Sequence, residues 1–172
     1  MRESSETLNT QAIDLAQQGF YSEAVACLRR ATVIDKENYL LWYNLGITYR
    51  DAGNLEDAKT ALMKAYQLND CDVELLETLS LVFYALGNLS EAFAFCYESL
   101  DLNPMNARSW NNLGVFYFAK ENYEQASQAF ETALSFYPHY YDALFNLKDA
   151  YAELGNKKGQ HECEILLKEL EK

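Results

Sequence analysis

The chain of 172 residues is poor in the residues that interrupt regular structure, with only two Pro and seven Gly. A β-sandwich or barrel needs many more such residues for its tight turns, so the composition predicts an all-helical fold. No apolar run approaches the roughly 20 residues of a membrane-spanning helix. The first residues also lack the apolar stretch of a secretory signal, and we therefore expect a cytoplasmic protein.

Positive charge and metal-binding motifs are scarce as well. Fourteen Lys and Arg stand against 26 Asp and Glu, which gives a net charge of -12. This charge repels phosphate, so we expect a protein or peptide partner rather than nucleic acid or an anionic membrane surface. The four Cys form no C-x-x-C pair, and neither His has a second ligand at metal-binding spacing. Since no catalytic or phosphate-binding motif occurs either, the sequence predicts no metal, no cofactor and no enzymatic activity.

What the sequence does contain is an internal repeat with a period of 34 residues. Trp42-x-x-Leu45-Gly46-x-x-Tyr49 recurs two periods later as Trp110-x-x-Leu113-Gly114-x-x-Tyr117. Weaker copies lie between and around these two, and the second half of the unit repeats as Ala24, Ala58, Ala92 and Ala126. The repeat therefore divides the chain into five frames, 5–38, 39–72, 73–106, 107–140 and 141–172.

This pattern resembles the tetratricopeptide repeat, in which W-x-x-L-G-x-x-Y is followed by A, F and P within 34 residues. Pro104 and Pro138 match the proline, whereas Lys36 and Asp70 replace it in the first two frames. The resemblance implies an all-α fold, namely a right-handed α-solenoid of about ten helices in helix-turn-helix repeats. We expect one solenoid over 1–172.

The spacing of the residues leads to the same architecture. The fourth, seventh, eighth and eleventh residues of a frame lie on one face of a helix, and four frames then place a Gly where that helix ends. In the fourth frame the position is Glu121, followed by Asn122, which is the next best residue for the left-handed conformation. The repeated Ala lets a second helix approach closely. The last frame turns polar toward its end, and we expect it to cap the solenoid.

The opposite side of each first helix carries the candidate binding residues. In the tetratricopeptide family this side lines the concave groove that holds peptides, and its aromatic and amide side chains suit an extended peptide. Two alternatives remain: the apolar residues pack between neighbouring helices, and the Asn residues belong to the framework. The candidates are Tyr43, Asn44, Arg50, Glu77, Tyr84, Arg108, Asn111, Asn112, Phe118 and Asn146.

The third frame is the most acidic, because it has a net charge of -5 and contains no Lys or Arg. Its first helix carries Glu74 and Glu77 on the candidate side. This favours either a partner with a central basic residue or a solvated acidic face without a binding role.

These features predict an adaptor that holds a peptide segment or a partner protein in the concave groove. A secretion-type chaperone and the regulatory subunit of a separate enzyme are the alternatives. The family members that bind the acidic C-terminal tails of heat-shock chaperones need a set of basic residues and Asn on three successive first helices. No window of this sequence has that set, so we do not expect this partner. The sequence leaves the oligomeric state open.

The capping role of the last frame is testable by truncation. Removal of the residues after Gly159 should expose Leu144, Leu147 and Tyr151, and we expect aggregation or partial unfolding from that end. Size-exclusion chromatography and thermal unfolding compare the truncated and complete chains. A truncated chain that stays monomeric with unchanged melting would contradict the capping role.

Overall fold

The computed structural model describes residues 3–171, and within this range it contains ten α-helices and no β-strand. Met1, Arg2 and Lys172, which belong to the terminal runs considered above, lie outside the described residues. Each frame holds two helices, so the predicted all-helical class is confirmed. The helices are α1 (Ser5–Gln17), α2 (Tyr21–Ile34), α3 (Tyr39–Asp51), α4 (Leu55–Leu68), α5 (Val73–Ala85), α6 (Leu89–Leu102), α7 (Ala107–Ala119), α8 (Tyr123–Phe136), α9 (Tyr141–Glu153) and α10 (Lys157–Leu170).

The helices form two compact units, the first ending at Asn88 and the second beginning at Leu89. In the first unit α1 packs on α2 and α3 packs on α4, while α3 also contacts α1, α2 and α5. In the second unit α7 packs on α8 and α9 packs on α10, while α7 also contacts α6 and α9. Each unit thus buries the apolar faces of its hairpins between successive helices, as expected for a repeat without a separate core in each hairpin.

The repeated Ala residues lie at the centre of this packing. Ala24, Ala58, Ala92 and Ala126 are fully buried. In the first unit Leu28 and Leu45 share a cluster with Ala24, and in the second unit Phe130 and Leu147 share one with Ala126. The repeat therefore places a small side chain at each buried position where two helices approach and larger side chains around it.

The turns between paired helices contain residues in the left-handed conformation. Gly53 has a φ of 81°, and three other Gly occupy the equivalent position in their frames. In the fourth frame the left-handed residue is Glu121, with a φ of 58°, and the expectation for Asn122 is therefore wrong. The physical reason is that Asn122 caps α8, where its side chain accepts a hydrogen bond from the Gln125 backbone N–H.

The last helix, α10, is less polar on its surface than its sequence suggests. Gly159, Cys163 and Leu167 are buried, but Ile165 and Leu166 remain 45% and 42% exposed. The predicted cap thus carries apolar side chains on its outer surface as well as the charged ones.

Gly residues within helices allow the two helices of a hairpin to touch at Gly46, at Gly114 and, in the last hairpin, at Gly159. A Cβ atom at Gly46 would lie 2.5 Å from Cγ of Leu62 and 3.2 Å from its backbone nitrogen. Gly114 has the same relation to Phe130 two hairpins later. Because Leu62 and Phe130 are buried, neither has free space into which it could move.

Substitution of Gly46 by Ala tests this contact. In an unconstrained helix the change stabilises by about 1 kcal/mol. Here we expect a loss of about 1–3 kcal/mol in the free energy of unfolding, because the methyl group collides with Leu62. Urea denaturation measures the difference, and Gln67→Ala, an exposed change on α4, serves as the control. A Gly46→Ala variant that is more stable than the wild type would contradict the proposed close contact.

Candidate partner-binding faces

The ten predicted binding residues fall into two sets, one in each unit. The first unit holds Tyr43, Asn44, Arg50, Glu77 and Tyr84. The second unit holds Arg108, Asn111, Asn112, Phe118 and Asn146. All ten lie on first helices, α3 and α5 in the first unit and α7 and α9 in the second. We call the side of these helices that carries them the first-helix face of each unit.

Pairs of polar side chains join neighbouring first helices. Nδ2 of Asn44 donates a hydrogen bond to Oδ1 of Asn9 over 2.8 Å, and Nδ2 of Asn146 donates to Oδ1 of Asn111 over 3.0 Å. Both pairs are 35 residues apart, one more than the repeat period, so each links the fifth residue of a frame to the sixth of the next. Asn9 was missed by the sequence analysis because the motif in its frame is degenerate.

Tyr43 takes part in the same arrangement. It is half-buried, and burial raises the pKa of its hydroxyl, with a smaller opposing effect from a hydrogen bond with Thr78. The charges of Glu74 and Asp72 also raise this pKa, while Arg50 lowers it. Thr78 lies 35 residues after Tyr43, so this contact has the same spacing as the two Asn pairs. The Tyr43 hydroxyl is therefore protonated at neutral pH and contacts α5.

Three other candidates of the first unit differ in their surroundings. Arg50 forms an ion pair with the adjacent Asp51 at 2.8 Å, and Tyr84 is half-buried. Glu77 is only 8% exposed. The solvated acidic face considered for the third frame is therefore not formed by Glu77, because that side chain is buried, whereas Glu74 is exposed.

The remaining candidates of the second unit range from exposed to buried. Arg108 is exposed, whereas Asn112 is 9% exposed. The ring of Phe118 packs edge-on against Tyr123 of α8, with ring centroids 5.1 Å apart. Phe118 thus contributes to the packing of its own hairpin and leaves only part of its side chain exposed.

A cavity of about 390 Å³ opens on the first-helix face of the second unit. It is lined by Asn111, Tyr141, Asp142, Phe145 and Asn146. Tyr141 and Phe145 are each 43% exposed. The two Asn residues are among the predicted candidates, whereas the aromatic ones are not, because the polar end of the last frame indicates a cap. Phe145 occupies the fifth position of that frame, as Tyr43 and Asn111 do in theirs. The repeat register could therefore have predicted Phe145 as a candidate.

Neighbouring charged groups hold both aromatic rings of this cavity. Nζ of Lys148 lies 4.0 Å from the centroid of the Phe145 ring, a cation–π contact. The Tyr141 hydroxyl donates to Oε1 of Glu171 over 3.2 Å, and this hydrogen bond raises the pKa of Tyr141. These contacts restrain both rings, and Lys148 lies over one face of Phe145.

The hydrogen-bonded Asn pair leaves a donor and an acceptor free. Asn146 uses one N–H and Asn111 uses its carbonyl oxygen, so Oδ1 of Asn146 and Nδ2 of Asn111 have no side-chain partner within 3–171. Asn111 is buried, with 6% of its surface exposed, and because every fully buried polar side-chain atom in this range has a partner, its Nδ2 keeps a small exposed area. A peptide group offers the complementary C=O and N–H.

In residues 3–171 no group of three or more His, Cys, Asp and Glu side chains could hold a metal ion. None of the helices formed by these residues has the length and apolar character that crossing a membrane requires.

The coupling between Asn111 and Asn146 can be measured by a double-mutant cycle with Ala at each position. We expect a coupling free energy of about 0.5–1.5 kcal/mol in favour of the pair, because either single change leaves the other amide without its partner. The control is a second cycle that combines Asn111→Ala with Gln128→Ala on α8. In this cycle we expect the two changes in the free energy of unfolding to be additive. A coupling of zero between Asn111 and Asn146 would show that the hydrogen bond contributes nothing to stability.

Known protein families with the same repeat match the sequence of this chain. The sequence matches the tetratricopeptide repeat at 39–70 and at 107–140, and it matches a TPR repeat description over 14–53. These matches together cover more than half of the chain. A sequence comparison with curated proteins found no match.

Solved structures share the fold over almost the whole chain. MamA from Desulfovibrio magneticus RS-1 (residues 41 to the end) is 19% identical with a TM-score of 0.87, and the alignment covers 99% of this chain and 97% of that one. PilF of Pseudomonas aeruginosa is 18% identical with a TM-score of 0.86, covering 96% and 75%. YrrB, described as a TPR protein with an unusual peptide-binding site, is 18% identical with a TM-score of 0.75, covering 97% and 86%. At these identities the likeness concerns the fold alone.

The repeat signature, the paired helices of each frame and the sequence matches agree with one another. The chain belongs to the tetratricopeptide repeat family, whose members are generally scaffolds for protein–protein interactions.

Proposed function

We propose that the chain is a non-enzymatic adaptor that binds a peptide segment or a partner protein on the side of its first helices that lines the concave groove in this family. The observation that carries the proposal is the cavity of the second unit, in which the Asn111–Asn146 pair lies beside Tyr141 and Phe145. We assign no catalytic group, cofactor or metal to this function.

The cavity suits an extended peptide because it offers both parts of a peptide's chemistry. The free Nδ2 of Asn111 can donate to a backbone carbonyl, and the free Oδ1 of Asn146 can accept from a backbone N–H. Two aromatic rings beside them offer contact area to an apolar side chain at low cost in entropy. Asp142 lines the same cavity and favours a peptide with a basic residue nearby.

The net charge supports the same choice of partner. A chain with a charge of -12 repels nucleic acid, and an Asp at the cavity disfavours the acidic C-terminal tails of heat-shock chaperones. We therefore propose a neutral or basic protein segment as the ligand.

Affinity capture from native extract, read by mass spectrometry, identifies the partner, and a peptide from that partner then gives the dissociation constant. We expect the double variant Tyr141→Ala, Phe145→Ala to weaken binding about thirtyfold or more, because an aromatic anchor is worth 2 kcal/mol or more. Phe136→Ala, which removes an exposed aromatic side chain from the second helix α8, is the matched control and is expected to bind normally.

Both variants need to remain folded, which circular dichroism and thermal unfolding establish. The proposal would be wrong if the folded double variant bound the partner as tightly as the wild type, or if Phe136→Ala reduced binding to the same extent.

A further inference from the structure

A different cavity, of about 450 Å³, lies in the first unit between α2, α3 and α4. It uses another side of α3 from the first-helix face, because Trp42, Leu45 and Tyr49 line it whereas Tyr43 and Asn44 do not. Its volume falls within the range of small-molecule and side-chain pockets. The function proposed above makes no use of this cavity.

The inner wall of this cavity is apolar. The indole N–H of Trp42 donates to the Lys36 carbonyl oxygen over 2.9 Å, so Trp42 offers the cavity its ring rather than a hydrogen-bond donor. Leu45 is almost fully buried beneath it, and Val33 of α2 stands at the opening with 71% of its surface exposed. An apolar side chain that enters between these residues would replace water on three hydrophobic surfaces.

The lining of the cavity also contains one basic and one acidic side chain that do not form an ion pair with each other. Arg29 of α2 and Asp57 of α4 both line the cavity, yet within 3–171 neither forms an ion pair. The Tyr49 hydroxyl has no hydrogen-bond partner in this range either. Three polar groups of different character are thus available around one apolar cavity.

The repeat provides an internal comparison that shows what is unusual about Arg29. Twenty residues separate Arg29 from Tyr49, and the same spacing separates Tyr97 from Tyr117 and Glu131 from Tyr151. In the second unit the Tyr97 and Tyr117 hydroxyls are 2.5 Å apart, and the Tyr151 hydroxyl donates to Oε1 of Glu131 over 2.8 Å. The pairs that begin in the third and fourth frames are therefore closed by a direct contact, while the pair that begins in the second frame is Met63 and Phe83, which carries neither a hydroxyl nor a charge. At the first position Arg29 makes no such contact, and the space beside Tyr49 stays open.

The open space continues along α2. A second cavity of about 440 Å³ shares Arg29 and Val33 with the first and adds Arg30 and Ile34. Ile34 is 53% exposed. The two cavities are therefore adjacent, and Arg30, unlike Arg29, is paired with a carboxylate, that of Glu3.

We propose that the cavity between α2, α3 and α4 binds a dipolar peptide segment in which an apolar side chain lies between an acidic and a basic residue. The acidic side chain would accept hydrogen bonds from the Arg29 guanidinium and the Tyr49 hydroxyl, and the basic one would pair with Asp57. The apolar side chain would occupy the space against Trp42. This is a second binding surface of the adaptor, independent of the first-helix face.

Fluorescence polarisation with labelled, end-blocked peptides tests the proposal on the complete chain. The probes contain Glu-Phe-Lys or Lys-Phe-Glu between Gly residues, together with versions in which Ser replaces one charged residue or the Phe. We expect one of the two mixed-charge peptides to bind at least about tenfold tighter than every Ser version, since each contact removed is worth about 1.4 kcal/mol or more.

Substitutions in the protein assign the contacts. Arg29→Tyr introduces the side chain that stands at the equivalent position 97, and we expect it to close the cavity and abolish binding. Arg29→Ala is expected to remove the preference for Glu, and Asp57→Asn the preference for Lys. Lys64→Ala, which removes a cation of the same unit from outside both cavities, is the matched control and is expected to bind normally. Phe145→Ala is also expected to bind normally, which separates this result from that for the first-helix face.

Each unfavourable result counts against the proposal. Equal binding of the Glu-only and mixed-charge peptides would refute the dipolar class, and no binding at about 1 mM would refute the site. Should Arg29→Tyr fail to fold, as judged by circular dichroism, Arg29→Ala decides: retention of the Glu preference in that variant overturns the role of Arg29.

Discussion

The close approach of the two helices in a hairpin is the contact on which the other features depend. In two hairpins a Gly on the first helix, Gly46 or Gly114, lies against a large side chain on the second, Leu62 or Phe130. The other three frames place Ala12, Ser80 and Lys148 at the same position. This contact turns one side of the first helix toward its own hairpin. The residues on the remaining sides are then available to contact the neighbouring first helix or a partner.

Because the contact recurs with the repeat, the first helices have two further sides with different surroundings. Residues at the fifth and sixth positions of successive frames meet across neighbouring first helices, where they form the Asn44–Asn9 and Asn146–Asn111 pairs. Residues on the other side of α3 meet the second helices α2 and α4, where the cavity beside Arg29 and Tyr49 lies. The same architecture therefore supports polar contacts on one side and an apolar cavity with charged walls on the other.

Much of this arrangement could be predicted from the sequence because the packing follows the repeat period. The Gly, Ala and Trp positions predict which residues lie at the contacts within a hairpin. The two helices of every frame lie where the repeat period predicts them. Asn44 was predicted as a binding residue, which stays a prediction, and its bond with Asn9 depends on the register of the first helices of two consecutive frames. No local pattern encodes that register.

The residues that were predicted less well are those whose environment depends on tertiary packing. Glu77 is an acidic residue for which the sequence predicts exposure, but it is buried. Glu121 adopts a left-handed conformation because Asn122 caps the next helix. Tyr141 and Phe145 were missed because the polar end of the last frame suggested a cap, whereas its first helix lines a cavity. In each case the deciding contact comes from another helix or from the following turn.

Site-specific photocrosslinking tests most directly whether the first-helix face binds a protein. A photoreactive phenylalanine analogue replaces Phe145 in one sample and Gln128, an exposed residue of the second helix α8, in another. The account predicts that position 145 captures a partner protein and that its crosslinked peptide is one defined segment, while position 128 captures none. Equal capture of the same partner at both positions, or capture from position 128 alone, would contradict the account.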